Sequence, residues 1–152
     1  MSELKHEIEE SLLSRGVIVQ EVKNTDELCS SIMKKYVTGK PSAWWLSLKH
    51  IKERVAFEDD SGFRHISNYI DCIDSEFNTK TEKVYFIADE NDTDEYSMLA
   101  YLIDRKYIEI IIESCRYFEY YVVPLDISWL ICETEHGEII FCQQRVSHPN
   151  VQ

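Results

Sequence analysis

The chain has 152 residues, 44% hydrophobic and 12% aromatic, with 16 Lys/Arg against 28 Asp/Glu for a net charge of −12. That apolar share supports a core and argues against wholesale disorder; a domain of this size buries roughly 70% of the surface its unfolded chain exposes. A field of this sign repels nucleic acid and anionic membrane and draws in a basic partner, so neither of the first two is expected as a ligand.

The charge is also sorted along the chain. Residues 1–57 carry nine Lys/Arg against eight Asp/Glu, whereas residues 58–152 carry seven against twenty, a balance of −13. Two acidic segments stand out: Glu58-Asp59-Asp60, and the stretch 89–95, in which Asp89, Glu90, Asp92, Asp94 and Glu95 are five of seven residues. Four Gly and three Pro are too few for long flexible linkers, and a single domain over residues 1–152 is predicted.

In chain order, Ser2 can cap a helix whose apolar stripe is Leu4, Ile8 and Leu12, stopped by Gly16. Val17–Val19 reads as a short strand or an extended connection. Asn24 or Thr25 starts a second helix that buries Leu28, Cys29, Ile32 and Met33 and ends near Gly39-Lys40-Pro41. From Ser42 a third helix is predicted, with Trp44, Leu48, Ile51 and Val55 on one face, although Trp45–Leu48 could be extended. After the loop at 58–62, Ile66, Tyr69, Ile70 and Ile73 suit a short amphipathic helix. The period then changes to two. Val84–Ala88 is a strand, Ser97–Ile103 returns as another, and Asp104 caps an inserted helix with Ile108, Ile111, Ile112 and Cys115 inward. Strands at Phe118–Val123, Ser128–Thr134 and Glu138–Gln143 close the chain, the last two joined by a turn in which Gly137 can take positive φ. Trp129 and Ile131 on one face and Leu130 and Cys132 on the other require a sheet position covered on both sides. The expected fold is α+β: N-terminal helices packed on a mostly antiparallel sheet of about five strands, with one inserted helix.

The first residues, Met1-Ser2-Glu3-Leu4-Lys5-His6-Glu7, lack the apolar stretch of a secretory signal, and no run of 18 apolar residues is present. Five cysteines, Cys29, Cys72, Cys115, Cys132 and Cys142, are odd in number and lie mostly within apolar patterns, as reduced cysteines do. A cytoplasmic location is expected.

Candidate chemistry is sparse. Asp89, Asn91 and Thr93 match the first three ligand spacings of an EF-hand, but the Gly and Glu that its loop needs are Asp94 and Ala100 here. Cys132, His136 and Cys142 cluster on one hairpin without a fourth zinc ligand, so no metal or other cofactor is expected. Cys115 with His136 or His65 lacks any nucleophile motif, and the four scattered glycines cannot form a phosphate loop. Trp44-Trp45 near Lys49, Lys52 and Arg54 resembles a small nucleic-acid patch that the net charge opposes; one Trp is expected in the core and the other at a rim. Tyr117, Tyr120 and Tyr121 flank an edge-like strand, and tyrosines favour protein interfaces. The partner-binding candidates are therefore Glu58, Asp59, Asp60, Asp89, Glu90, Asp92, Asp94, Glu95 and Tyr120.

Phe118-Glu119-Tyr120-Tyr121-Val122-Val123, followed by Trp129-Leu130-Ile131-Cys132-Glu133 and His136, resembles the C-terminal signature of a small uncharacterised bacterial family. Trp44-Trp45 and Val84–Ile87 echo it, whereas a second His beside His136 is missing. Small acidic proteins of this kind resemble immunity proteins of bacterial toxin systems, including contact-dependent growth inhibition. That resemblance implies a non-enzymatic protein that blocks a cognate toxin with a basic surface, such as a nuclease. Two other functions remain open: an acidic regulator or adaptor that mimics nucleic acid, and a small hydrolase or metal enzyme built on Cys132, His136 and Cys142.

Overall fold

The computed structural model describes residues 3–57, 61–90, 98–134 and 137–144. Helix α1 (Glu3–Leu13) buries Leu4, Ile8 and Leu12, the i, i+4, i+8 stripe. Gly16, at φ 74°, turns the chain, and the Val17 N–H closes the helix end on the Leu12 carbonyl at 3.1 Å. Helix α2 (Thr25–Tyr36) carries Asp26 and Glu27 in its first turn and Lys34 and Lys35 in its last, each set opposing the helix dipole. It buries Cys29, Ile32 and Tyr36.

The helix expected from Ser42 does not form. Trp44–Ser47 is a single 3-10 turn, and Ile51–Ala56 is strand β1. His50 sits at φ 62°, which breaks any helical run between the two. The four apolar residues of the supposed stripe part company: Trp44 is 1% exposed against the Tyr121 ring, at 4.8 Å between centroids, while Ile51 and Val55 join the sheet. Strand pairing, from Ile51↔Cys142 to Ala56↔Glu138, outweighs a helical period carried by only four positions.

A 3-10 turn at Gly62–His65 leads into α3 (Ile66–Phe77), which buries Ile66, Ile70 and Ile73 and ends on Asn78 in the left-handed conformation. Strands β2 (Lys83–Asp89) and β3 (Met98–Asp104) pair antiparallel. The Asp104 carboxylate accepts from the Lys106 N–H at 3.0 Å and opens a 3-10 turn that continues as α4 (Ile108–Ser114). Strands β4 (Glu119–Pro124), β5 (Trp129–Glu133) and β6 (Glu138–Gln143) follow, with Gly137 at φ 74° before the last.

The described strands form one six-stranded antiparallel sheet in the order β1-β6-β5-β4-β2-β3. Helices α1, α3 and α4 cover one face, where Phe86, Tyr101, Tyr120, Val122, Trp129 and Ile131 are buried. Helix α2 and the Trp44 turn cover the other, over Ile87, Tyr121, Val123, Leu130, Cys132 and Ile140. This double cover is why all six residues of β4 are buried and why β5 is apolar on both sides. The β3 edge is capped by the extended segment after α1, through Val22 N–H to the Ala100 carbonyl (2.8 Å) and Leu102 N–H to the Gln20 carbonyl (2.9 Å). Among the described residues, no helix is long and apolar enough to cross a membrane.

Candidate functional site at the acidic end of the sheet

Antiparallel register sorts the strand termini into two ends. At one end lie the pairs Asp89↔Met98, Asp89↔Glu119, Tyr120↔Glu133, Glu133↔Ile139 and Ala56↔Glu138. The described residues that bound segments 58–60, 91–97 and 135–136 all stand here, at the C-termini of β1, β2 and β5 and the N-termini of β3 and β6. Carboxylates from four strands, Asp89, Glu119, Glu133 and Glu138, thus stand at one end of the sheet. At the other end lie Lys83↔Asp104, Val84↔Pro124 and Trp129↔Gln143. Lys35 Nζ donates to the Ile127 carbonyl there at 3.1 Å, with Lys34 beside it on the last turn of α2.

Of the sequence-predicted partner residues, Glu58, Asp59, Asp60, Asp92, Asp94 and Glu95 lie outside the described residues. Asp89 and Glu90 are described, and they correct the expectation of an exposed loop: they are 2% and 9% exposed. Strand β2 runs one residue further than the apolar pattern suggested, so Asp89 is flanked by strands on both sides. Its neighbour Glu119 is also buried and accepts from the Trp45 indole N–H at 2.7 Å, while the Trp45 backbone N–H donates to the Tyr121 hydroxyl at 3.2 Å. Trp44 is core and Trp45 half-buried, as expected of the pair.

Tyr120 is a second correction. Strand β4 is interior, not edge-like, and Tyr120 is 2% exposed. Its ring stacks on Phe86 at 5.6 Å, and its hydroxyl donates to Glu133 Oε1 at 2.7 Å. Burial, reinforced by the Glu133 charge, pushes that hydroxyl well above its ordinary pKa and keeps it a donor. Tyr117, by contrast, is exposed.

Tyr117, Phe118 and Phe63 border a cleft of about 310 Å³, with Tyr120, Glu133 and Arg116 in its walls. Arg116 forms ion pairs with Glu3 and Glu7, both at 2.8 Å. Hydrogen bonding from its side chain, then from its backbone, lowers the Glu7 pKa to about 2. Arg54 pairs with Glu138 at 2.8 Å, so two cations at this end are already matched by carboxylates.

The hairpin cysteines offer no counter-candidate. Cys132 and Cys142 are fully buried beneath α2, and desolvation raises Cys142 to about 12 and pushes Cys132 well up. Cys115 is likewise raised to about 12 by desolvation. Thiols of that kind hold their protons at neutral pH and pack as small hydrophobes. His136 lies outside the described residues. Among the described residues, no group of three or more His, Cys, Asp or Glu is arranged to hold a metal ion.

Sequence patterning had assigned Glu119, Glu133 and Glu138 to strands but not to the site. Each stands at a strand terminus, which was visible; that those termini share one end follows only from strand order and register. No curated protein and no solved structure matches the chain. Residues 5–152 match the model of a family of unknown function, DUF6756, and the chain belongs to that family.

Proposed function

We propose that this protein is an immunity protein: it binds a cognate toxin domain with a basic surface, a nuclease, and neutralises it by stoichiometric complex formation in the cytoplasm. The observation that carries this reading is the gathering of carboxylate-bearing strand ends at one end of the sheet. A toxin that cuts nucleic acid is basic where it grips phosphate. An inhibitor with a concentrated negative end is steered onto such a surface, and like-charged proteins are rejected. Catalysis is not required of the inhibitor.

The test is co-expression with the toxin domain encoded beside this gene. Growth should be restored, and equimolar mixing should give a complex of defined stoichiometry by light scattering with loss of nuclease activity. Full toxin activity in the presence of an excess of this protein, or no toxin gene in the neighbourhood, would overturn the proposal.

A further inference from the structure

The cleft beside Tyr117 has a shape and charge that select one kind of occupant. Its volume of about 310 Å³ stands at the bottom of the range that holds small molecules and cofactors, roughly 300–1,000 Å³. A single long side chain suits such a space better than a cofactor does. The walls are largely aromatic, from Phe63, Tyr117, Phe118 and Tyr120, and one wall carries the Glu133 carboxylate. Among the described lining residues the cation is Arg116, which already faces two carboxylates, Glu3 and Glu7; Arg64, 5.0 Å over the Phe63 ring, is likewise paired with Glu109 and Glu113. The cleft also opens at the end of the sheet where Glu119, Glu133 and Glu138 stand on strand termini.

We infer that this cleft is the anchor pocket for an arginine side chain of the basic partner. A guanidinium can stack on an aromatic face while it donates to a carboxylate, and it is more weakly hydrated than an ammonium, so arginine fits this lining better than lysine. The Tyr120 hydroxyl holds Glu133 from the protein side at 2.7 Å, which orients the carboxylate before the partner arrives. Exposed Tyr117 then closes over the alkyl stem, as an aromatic at the rim of an interface hot spot does. This inference rests on the partner-binding function proposed above and adds the place and chemistry of its anchor.

The experiment is an NMR titration of the full chain with N-acetyl-arginine amide and, in parallel, with N-acetyl-citrulline amide, its uncharged isostere, at physiological salt. Arginine should produce saturable shifts centred on Tyr117, Phe118 and Gly137, and citrulline should bind about tenfold more weakly, the loss of one charge-assisted contact. Glu133→Gln keeps an acceptor for the Tyr120 hydroxyl and should bring arginine down to the citrulline level. Tyr117→Ala, at an exposed position, should weaken both probes without disturbing the rest of the spectrum. Glu76→Gln, on α3 outside this cleft, should change nothing. Equal binding of the two probes, an unaltered Glu133→Gln variant, or shifts spread evenly over the acidic surface would overturn the inference. A toxin complex that forms without perturbing cleft resonances would sink the anchor and spare the function. Selective arginine binding in a protein that leaves the toxin fully active would support the anchor and sink the function.

Discussion

The two ends of the sheet differ in how many carboxylates stand on neighbouring strand termini. At the end that bears Lys83 and Asp104, acids are consumed by structure. Asp74 accepts from the Thr79 hydroxyl (2.7 Å), the Thr81 hydroxyl (2.7 Å) and the Thr81 N–H (2.8 Å), with Arg105 at 3.7 Å. Arg105 also pairs with Asp71 at 2.8 Å. At the other end, Asp89 and Glu119 are paired across neighbouring strands, Glu133 and Glu138 stand nearby, and the described cations there, Arg54 and Arg116, are already ion-paired. Like charges brought together cost self-repulsion, which a basic partner relieves. One end thus joins its acids to the fold, and the other is the end to which the proposed function assigns a basic partner.

The largest effects should come from the folding end. Trp129, 1% exposed at the start of β5, packs among the residues under α1, α3 and α4. Trp129→Ala should cost about 3–5 kcal/mol, read from urea denaturation, as truncation of buried aromatics does. A loss below about 1 kcal/mol would erase the contrast between the ends, because it would place no tightly packed core beside Lys83.

Asp74→Ala comes next, with an expected loss of about 1–3 kcal/mol from donors left without their acceptor. The same residue sets a pH dependence. Burial alone would raise its pKa, but hydrogen bonds from Thr81 and Thr79, with the Arg105 charge, outweigh it and hold the group below its usual value of 3.8. A folded-state pKa below the unfolded one contributes stability above the unfolded value and loses it as pH falls through the folded value. Glu7, lowered to about 2 by Arg116, acts in the same direction. Denaturation midpoints should therefore fall below about pH 4, and less steeply in Asp74→Ala. Parallel acid limbs in the two proteins would show that Asp74 titrates as it does in the unfolded chain.

How far these contrasts were legible in the sequence depended on whether local pattern or strand pairing decided them. The stripes Leu4-Ile8-Leu12 and Ile66-Ile70-Ile73, the two-faced apolar run Trp129–Cys132 and the turn at Gly137 are local signals, and the structure follows them. Strand β1 was hidden because Ile51–Ala56 is held by its pairing with β6, more than eighty residues away. The same limit applied to the site. Residues 89–95 read as one exposed acidic run, yet Asp89 is locked between two strands, and the burial of Tyr120 follows from β4 having a neighbour on each side. The acidic bias of residues 58–152 was visible from composition; that Asp89, Glu119, Glu133 and Glu138 share one end of the sheet was not, because strand order is a long-range property.

The smallest effect on stability should come from the acidic segment that follows β2. Replacing Asp92, Asp94 and Glu95 by Asn, Asn and Gln alters none of the described contacts and should shift stability by no more than about 0.5 kcal/mol, the usual scale for a change of solvated charge. Asp89→Asn should cost more than the triple change, because Asp89 is buried at 2% exposure. Thermal melts of the two variants side by side would check that order. A more damaging triple change would mean that the acidic segment serves the fold, as its counterpart at the other end does.

The most direct test of binding through the acidic end is the association rate constant with the cognate toxin domain, measured at low and high salt. The wild type, the Asp92/Asp94/Glu95 neutralised variant and a Lys34→Gln/Lys80→Gln variant of the opposite end should be compared. Screening acts within about 8–10 Å at physiological ionic strength, so the wild-type rate should fall steeply as salt rises. The acid-neutralised variant should associate more slowly at low salt and respond less to salt, and the lysine variant should match or exceed the wild type. Equal low-salt rates for wild type and the acid-neutralised protein, or slowing only in the lysine variant, would contradict binding through the acidic end of the sheet.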